Sequence, residues 1–337
     1  MCNSGVRSNT LSWIADFLSG RSQEVVLEGK HSAQCKVTSG VPQGTVLGPL
    51  LFLVYINDMP PCVSSRARLF ADDCLLYRPI KTEADATKLQ EDIDALQNWE
   101  STWQMSFNPD KCEVLRITNK RNKIMANYYI HDQQLQIVDN AKYLGLTISK
   151  NLSWNNHVNN ITKKANSTLA FLRRNIRNCP QRAKTQAYNT FVRPSLEYAS
   201  TVWDPHTQAN INKVESIQRR AARFVTNNYD PRASVTTLLQ DLNWPTLQHR
   251  RQLAKLIMMY RITYHLIEIP SITYLIPSRS GTRGHNIRYL QPSTRVLAYQ
   301  YSFFPSTIRL WNNLPQTLVS SGSIDTFRHS LTNTSLP

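Results

Sequence analysis

The sequence predicts an α+β fold, on three observations. Ala67-Arg68-Leu69-Phe70 and Cys74-Leu75-Leu76-Tyr77 are two short apolar runs with two acids between them, the pattern of strand, tight turn and strand. Leu89, Ile93, Leu96, Trp99 and Trp103 recur at spacings of three and four, which marks a helix over 83–105. From about residue 151 helical spacing takes over entirely. No Gly-x-Gly-x-x-Gly occurs, so a parallel dinucleotide-binding sheet is not expected.

Taken in order, Leu11-Ser12-Trp13-Ile14-Ala15-Asp16-Phe17-Leu18 has helical apolar spacing. Glu24-Val25-Val26-Leu27-Glu28 alternates and runs into Gly29-Lys30, as the first strand of a hairpin does. Ser39-Gly40-Val41-Pro42-Gln43-Gly44-Thr45-Val46-Leu47-Gly48-Pro49 holds three glycines and two prolines in eleven positions and leads into an apolar helical stretch. Glycine lets another backbone or a ligand approach closely, and proline fixes the path. The result is a stiff loop feeding a helix. On the 83–105 helix, Glu91, Asp92, Gln97 and Glu100 fall opposite the apolar stripe and are expected to face solvent. Residues 112–150 read as short strands with a connecting hairpin.

Beyond 151, Trp154, Val158, Ile161, Ala165, Leu169, Leu172 and Ile176 form one apolar stripe. Lys163, Lys164, Arg173, Arg174 and Arg177 lie mostly off it. Ala183, Ala187, Phe191 and Val192 begin a second helix. Ile211, Val214, Ile217, Ala221 and Phe224 begin a third, which carries Arg219, Arg220 and Arg223. A further helix spans 246–268. From about 270 the chain is rich in Pro, Ser, Thr and Tyr, with Arg279, Arg283, Arg288 and Arg295. That segment reads either as a loosely ordered basic tail or as a small extra subdomain. Three regions follow: 1–150, 151–268 and 269–337.

The net charge of +16 favours an anionic partner, nucleic acid first. The charge is concentrated: residues 153–260 carry 16 Lys/Arg against 5 Asp/Glu. Ordinary solvated helix faces are the plainer account of the same residues. Six scattered cysteines include no Cys-x-x-Cys pair and no zinc spacing, which fits reduced thiols in an intracellular protein, nuclear or cytoplasmic. No signal peptide is expected, so secretion is not. No run approaches the roughly 18 apolar residues that would span a membrane.

The adjacent carboxylates Asp72 and Asp73 carry the most chemistry. At about 4 Å, two such charges repel by roughly 4 kcal/mol at an effective dielectric near 20. A fold tolerates this at an exposed tip, or where a divalent cation lies between the charges. Mg²⁺, a hard ion that takes oxygen ligands, is the natural occupant. An acidic hairpin turn with no metal is the alternative reading.

With the Gly-Val-Pro-Gln-Gly loop upstream, Phe70-Ala71-Asp72-Asp73 resembles the third conserved block of reverse transcriptases of non-LTR (LINE-type) retrotransposons. The loop itself resembles the second block. Phe107-Asn108-Pro109-Asp110-Lys111-Cys112 and Tyr143-Leu144-Gly145-Leu146 resemble later blocks. Arg219-Arg220-Ala221-Ala222-Arg223, Phe303-Phe304-Pro305 and Leu310-Trp311-Asn312 are similar to the region that follows the polymerase core in such elements. The resemblance implies an RNA-directed DNA polymerase working by two-metal nucleotidyl transfer. It implies a partial right-hand palm, an antiparallel sheet with helices, followed by an α-helical thumb and a C-terminal extension.

The roles are those the resemblance implies. Asp72 and Asp73 would hold Mg²⁺. Ser39, Gly40, Pro42, Gln43 and Gly44 would shape the pocket for nucleotide and template base. Lys111 would protonate the leaving pyrophosphate, or would simply pair with Asp110 or Glu113. Tyr143, Leu144 and Gly145 would seat the primer end. Ala71 would leave room for the primer terminus, or serve packing alone. Lys163, Lys164, Arg173, Arg174, Arg219, Arg220 and Arg223 would contact the phosphates of an RNA template and DNA primer.

The family uses a third carboxylate from an earlier strand. Before Ser39 the chain offers Asp16, Glu24 and Glu28, none in the expected setting. The expectation is therefore a truncated polymerase without its fingers and first catalytic strand, inactive alone and poorly soluble, its missing N-terminal part a possible partner. The alternatives are an enzyme whose third ligand comes from elsewhere, and a non-catalytic nucleic-acid-binding remnant that uses the basic helices.

Overall fold

The computed structural model describes residues 5–278, 284–332 and 334. Arg279 and Arg283 lie outside the described residues. The chain divides into two compact units, one of residues 1–114 with 120–138, the other of 115–119 with 139–337.

The first unit opens with helix α1 (Ser8–Leu18), which buries only Ile14. Strands β1 (Ser22–Gln23), β2 (Val26–Leu27), β3 (Lys30–His31) and β4 (Cys35–Lys36) form nested antiparallel pairs, β2 with β3 inside β1 with β4. The inner turn falls at Glu28-Gly29, both at positive φ. All four strands are exposed. Helix α2 (Leu47–Ile56) follows the Gly-Val-Pro-Gln-Gly loop. It is apolar along its whole length, yet Leu50 and Leu53 remain half exposed.

Strands β5 (Arg66–Phe70) and β6 (Asp73–Tyr77) pair antiparallel as a ribbon of two. Helix α3 (Glu83–Trp103) starts at a capping box between Thr82 and Asp85, which supplies acceptors for otherwise orphaned backbone N–H groups. Short strands follow: β7 (Glu113–Leu115), β8 (Tyr129–Ile130), β9 (Gln133–Gln134) and β10 (Gln136–Val138). Among the described residues each sheet has two strands only, so the architecture is α+β with small ladders rather than one continuous sheet.

Helix α3 is the spine of this unit. Leu96 and Trp99 pack with Ile56 and Met59, and Ile93 packs with Tyr128, Ile130 and Leu135. Its polar side differs from the expectation of a solvated face. Asp92 and Glu100 are 5% and 6% exposed. Asp92 accepts from the backbone N–H groups of Ser64 and Ser65, at 2.7 and 2.8 Å, and pairs with Arg78. Glu100 accepts from the Phe107 N–H and lies 3.0 Å from the His131 ring. These carboxylates clamp the chain leading into β5 and the chain leaving α3.

The second unit begins with the hairpin of β11 (Asn140–Tyr143) and β12 (Leu146–Ser149). Helices α4 (Asn155–Asn175), α5 (Gln181–Ala187), α6 (Arg193–Glu197), α7 (Ser200–Trp203), α8 (Gln208–Thr226), α9 (Val235–Asp241) and α10 (Leu247–Thr263) follow. Between α5 and α6 the chain makes a π turn over Tyr188–Val192. Pro194 accounts for it: proline has no N–H to give the carbonyl four residues back, and its ring crowds that carbonyl. The expected apolar stripes of α4 and α8 meet in one core, where Val158, Ala165, Leu169, Val214, Ala221 and Phe224 are 0–1% exposed.

The described residues after 284 form short helices. These are α11 (Leu297–Gln300), α12 (Phe303–Asn312), α13 (Gln316–Val319) and α14 (Ile324–Thr332), of which α12 and α14 pack on α10. Leu256, Met259, Ile308, Trp311, Val319 and Phe327 form a second core, all fully buried.

Candidate active site

The β5–β6 register pairs Phe70 with Asp73 and leaves Ala71-Asp72 as a two-residue turn. Ala71 sits at φ 50, a left-handed backbone that a side chain resists. Asp72 and Asp73 are both exposed at this tip. Behind them the ribbon is anchored by Leu69, Cys74 and Leu76 against the α3 core. Burial, with Cys112 nearby, pushes the Cys74 thiol up to about 11, so this sulfur is a packing group rather than a reactive one.

The Gly-Val-Pro-Gln-Gly loop is tied by the hydroxyl of Thr45 that follows it. Thr45 Oγ1 donates to the Pro42 carbonyl at 2.8 Å and accepts from the Gly48 N–H at 3.1 Å. A β-carbon on Gly48 would come within 2.9 Å of the Pro42 carbonyl oxygen, so only glycine fits there. Arg21 Nη2 holds the start of the loop through the carbonyls of Ser39 (3.3 Å) and Gly40 (2.6 Å). Sequence reasoning missed Arg21, because a lone arginine between two short elements carries no periodic signal. Gln43 and Gly44 are exposed and Pro42 is half-buried.

Lys111 ends a short 3₁₀ turn and is exposed. It forms no ion pair among the described residues. Asp110 instead accepts from Gln133 at 2.8 Å.

The second unit holds the other expected residues. Tyr143 pairs with Leu146 across β11–β12, and Leu144 and Gly145 form the tip at φ 45 and 79. Two consecutive positive φ values make the turn whose twist suits a hairpin. The Tyr198 hydroxyl donates to the Leu144 carbonyl at 3.1 Å and fixes this tip. Lys163, Lys164, Arg173 and Arg174 on α4 are exposed, as are Arg219 and Arg220 on α8. Arg220 donates to Asn166 at 2.7 Å, and Arg173 lies over the Tyr229 ring. Arg223 differs: it is half-buried and donates to the carbonyls of Asp230 and Ala233, closing the loop after α8.

Carboxylate oxygens are the donors Mg²⁺ prefers, and this ion is commonly held by one or two carboxylates together with substrate phosphates. Asp72 and Asp73 fit that description. Among the described residues no group of three or more His, Cys, Asp or Glu side chains comes together as a metal site. No helix among them is long and apolar enough to cross a membrane.

Residues 3–148 match the reverse transcriptase (RNA-dependent DNA polymerase) family, and the match contains the Gly-Val-Pro-Gln-Gly loop, the Asp-Asp tip and the β11–β12 hairpin up to Ile148. This part of the chain is a reverse transcriptase domain, of the kind found in non-LTR retrotransposons. Among curated proteins the chain is 29% identical over 243 residues to the probable RNA-directed DNA polymerase from transposon X-element of Drosophila melanogaster. That alignment covers 69% of this chain and 26% of the relative. It is 28% identical over 227 residues to the RNA-directed DNA polymerase from mobile element jockey of the same species, covering 63% and 24%. It is 31% identical over 256 residues to the probable RNA-directed DNA polymerase from transposon BS, covering 70% and 28%. The chain thus spans about a quarter of the length of these relatives.

Proposed function

We propose that this chain carries the primer-extension site of an RNA-directed DNA polymerase, with Asp72 and Asp73 as its metal-holding carboxylates. The observation that carries the reading is the exposed Asp-Asp tip inside a reverse transcriptase domain. Mg²⁺ bound there would lower the pKa of a primer 3′-hydroxyl and neutralise charge developing on the triphosphate. The remaining roles belong to the chain. Pro42, Gln43 and Gly44, with Ser39 and Gly40 pinned by Arg21, form a stiff wall for nucleotide and template base. Tyr143, Leu144 and Gly145 seat the primer end. Lys111, exposed and without an ion pair among the described residues, gives its proton to the leaving pyrophosphate. The first unit acts as part of a palm, and helices α4 and α8 act as a thumb. Their Lys163, Lys164, Arg173, Arg174, Arg219 and Arg220 contact duplex phosphates without reading sequence. Arg223 supports that surface from behind.

A second reading is favoured by the site's two-carboxylate donor set. With only Asp72 and Asp73 gathered among the described residues, Mg²⁺ is held weakly, and the chain alone binds template–primer without extending it. Primer extension on an RNA template, with Asp72→Asn as control, separates the two. Extension lost in the mutant supports a working polymerase. Salt-sensitive binding without extension, equal in both proteins, supports the binding reading. An absence of any nucleic-acid binding defeats both.

A further inference from the structure

We propose that a cleft between the end of α4, the start of α5 and the end of α8 is a phosphate-binding site. The cleft is open to solvent, has a volume of about 520 Å³ and is lined by Arg177, Asn178, Cys179, Lys184 and Asn227. Two cations and two amides face it, and among the described residues no carboxylate does. Such a wall offers N–H donors and positive charge, the recognition chemistry of a phosphate group.

Lys184 gives the site its specificity. The residue is 5% exposed, and its ammonium stands 5.3 Å from the centre of the Phe224 ring. The ring face meets part of the charge but accepts none of the three N–H bonds in the ordinary sense. Among the described residues no oxygen or carboxylate accepts from it. The other deeply buried lysine of this unit is different. Lys255 is 3% exposed and reaches Asp204 at 2.7 Å and Ser306 at 3.0 Å. A buried cation normally has such a partner, since burial without one is costly. Lys184 has a cleft in the same place, and Arg177 on the rim is equally without a carboxylate among the described residues. An arriving phosphate would displace water from both and supply the fixed acceptor that neither has among those residues. The source is a backbone phosphate of nucleic acid or a free phosphate-bearing molecule; the first of these rests on the nucleic-acid reading above.

Cys179 in the wall provides a local readout. In the full chain, alkylation of Cys179 by iodoacetamide would be followed residue by residue by mass spectrometry, with the exposed Cys62 of the other unit as reference. Two probes would be added, inorganic phosphate against chloride at equal ionic strength, and an RNA–DNA hybrid duplex. Arg177→Gln, at an exposed position, and Lys184→Met, which keeps the buried stem, would be run beside the wild type, with a thermal melt to check folding.

The expected result is that inorganic phosphate slows Cys179 several-fold, leaves Cys62 unchanged, and has no effect on Cys179 in either variant. If the duplex is the source, each variant also lowers the slope of log affinity against log salt by about 1. If the slope is unchanged while phosphate still protects, the site takes a free phosphate-bearing molecule. Cys179 reacting at the same rate with and without both probes would overturn the proposal. So would equal protection in wild type and both variants. Failure of the wild type to bind duplex at all would strike the polymerase reading and leave the inorganic-phosphate arm to decide this one.

Discussion

The two units of this chain solve the packing problem differently. In the helical unit, Val158, Val192, Trp203, Val214, Ala221, Leu247 and Leu256 are all 0% exposed, in cores that each draw on several helices. In the unit that carries Asp72 and Asp73, one helix supports two small clusters, and the strands are two-residue to five-residue ribbons. Val25, Val26, Leu27, Leu50 and Leu53 lie 50–72% exposed there. Burial is thus concentrated away from the candidate chemistry. Beside its apolar anchors, the unit with the candidate tip relies on a few charged clamps: Asp92 at the entry to β5, Glu100 after α3, and Arg21 at the glycine loop.

The sharpest test of that contrast is Trp203→Ala. The indole is fully buried, donates to the Tyr198 carbonyl at 2.8 Å and stacks under Arg251. We expect a loss of about 3–5 kcal/mol, measured by denaturant unfolding with a probe in the helical unit. A loss near zero would break the comparison.

Asp92→Ala comes next. It strands two backbone N–H groups and takes the carboxylate from Arg78, and should cost about 1–3 kcal/mol. Hydrogen exchange at Ser64 and Ser65 should rise first; unchanged exchange there would show that the clamp is dispensable.

Acid should separate the units. Burial holds His157 and His285 below the ordinary histidine value of 6.5, so both favour the neutral form in the fold. The unfolded chain takes up those protons more readily, and the helical unit loses stability as pH falls below about 6.5. Burial pushes the Asp92 carboxyl up, but hydrogen bonds from Ser65 and Ser64 outweigh it and hold the group below 3.8. Its contribution is present above that value and is lost only as pH falls through the folded pKa. Exchange measured between pH 7.5 and 5 should therefore rise in the helical unit first. The smallest effect is expected for Leu53→Ala, half exposed on α2, within about 0.5 kcal/mol by melting; a large loss would mean that this helix is buried in solution.

Much of this was readable from residue spacing. The stripes of α4 and α8 and the turn at Asp72 needed only local pattern. The burial of Asp92 and Glu100 was not readable, because their partners are backbone amides of Ser64, Ser65 and Phe107, which no side-chain pattern reports. The helices after residue 300 did leave a trace: Phe304, Ile308 and Trp311 stand four and three apart. Surrounding Pro, Ser and Thr obscured it. No local pattern marks Lys184 as buried, because the ring it lies against, Phe224, belongs to another helix.

The Tyr198 bond to the tip of β11–β12 also bears on when that tip takes shape. Leu144 is an unfavourable residue for a left-handed turn, so the hairpin has little reason to settle there unaided. Its latch lies 54 residues further along the chain. At a synthesis rate of about 5–20 residues per second, that separation is a wait of about 3–11 s. The hairpin leaves the ribosome before its latch does, and its tip is set only after α4, the π turn and α6 have followed it out.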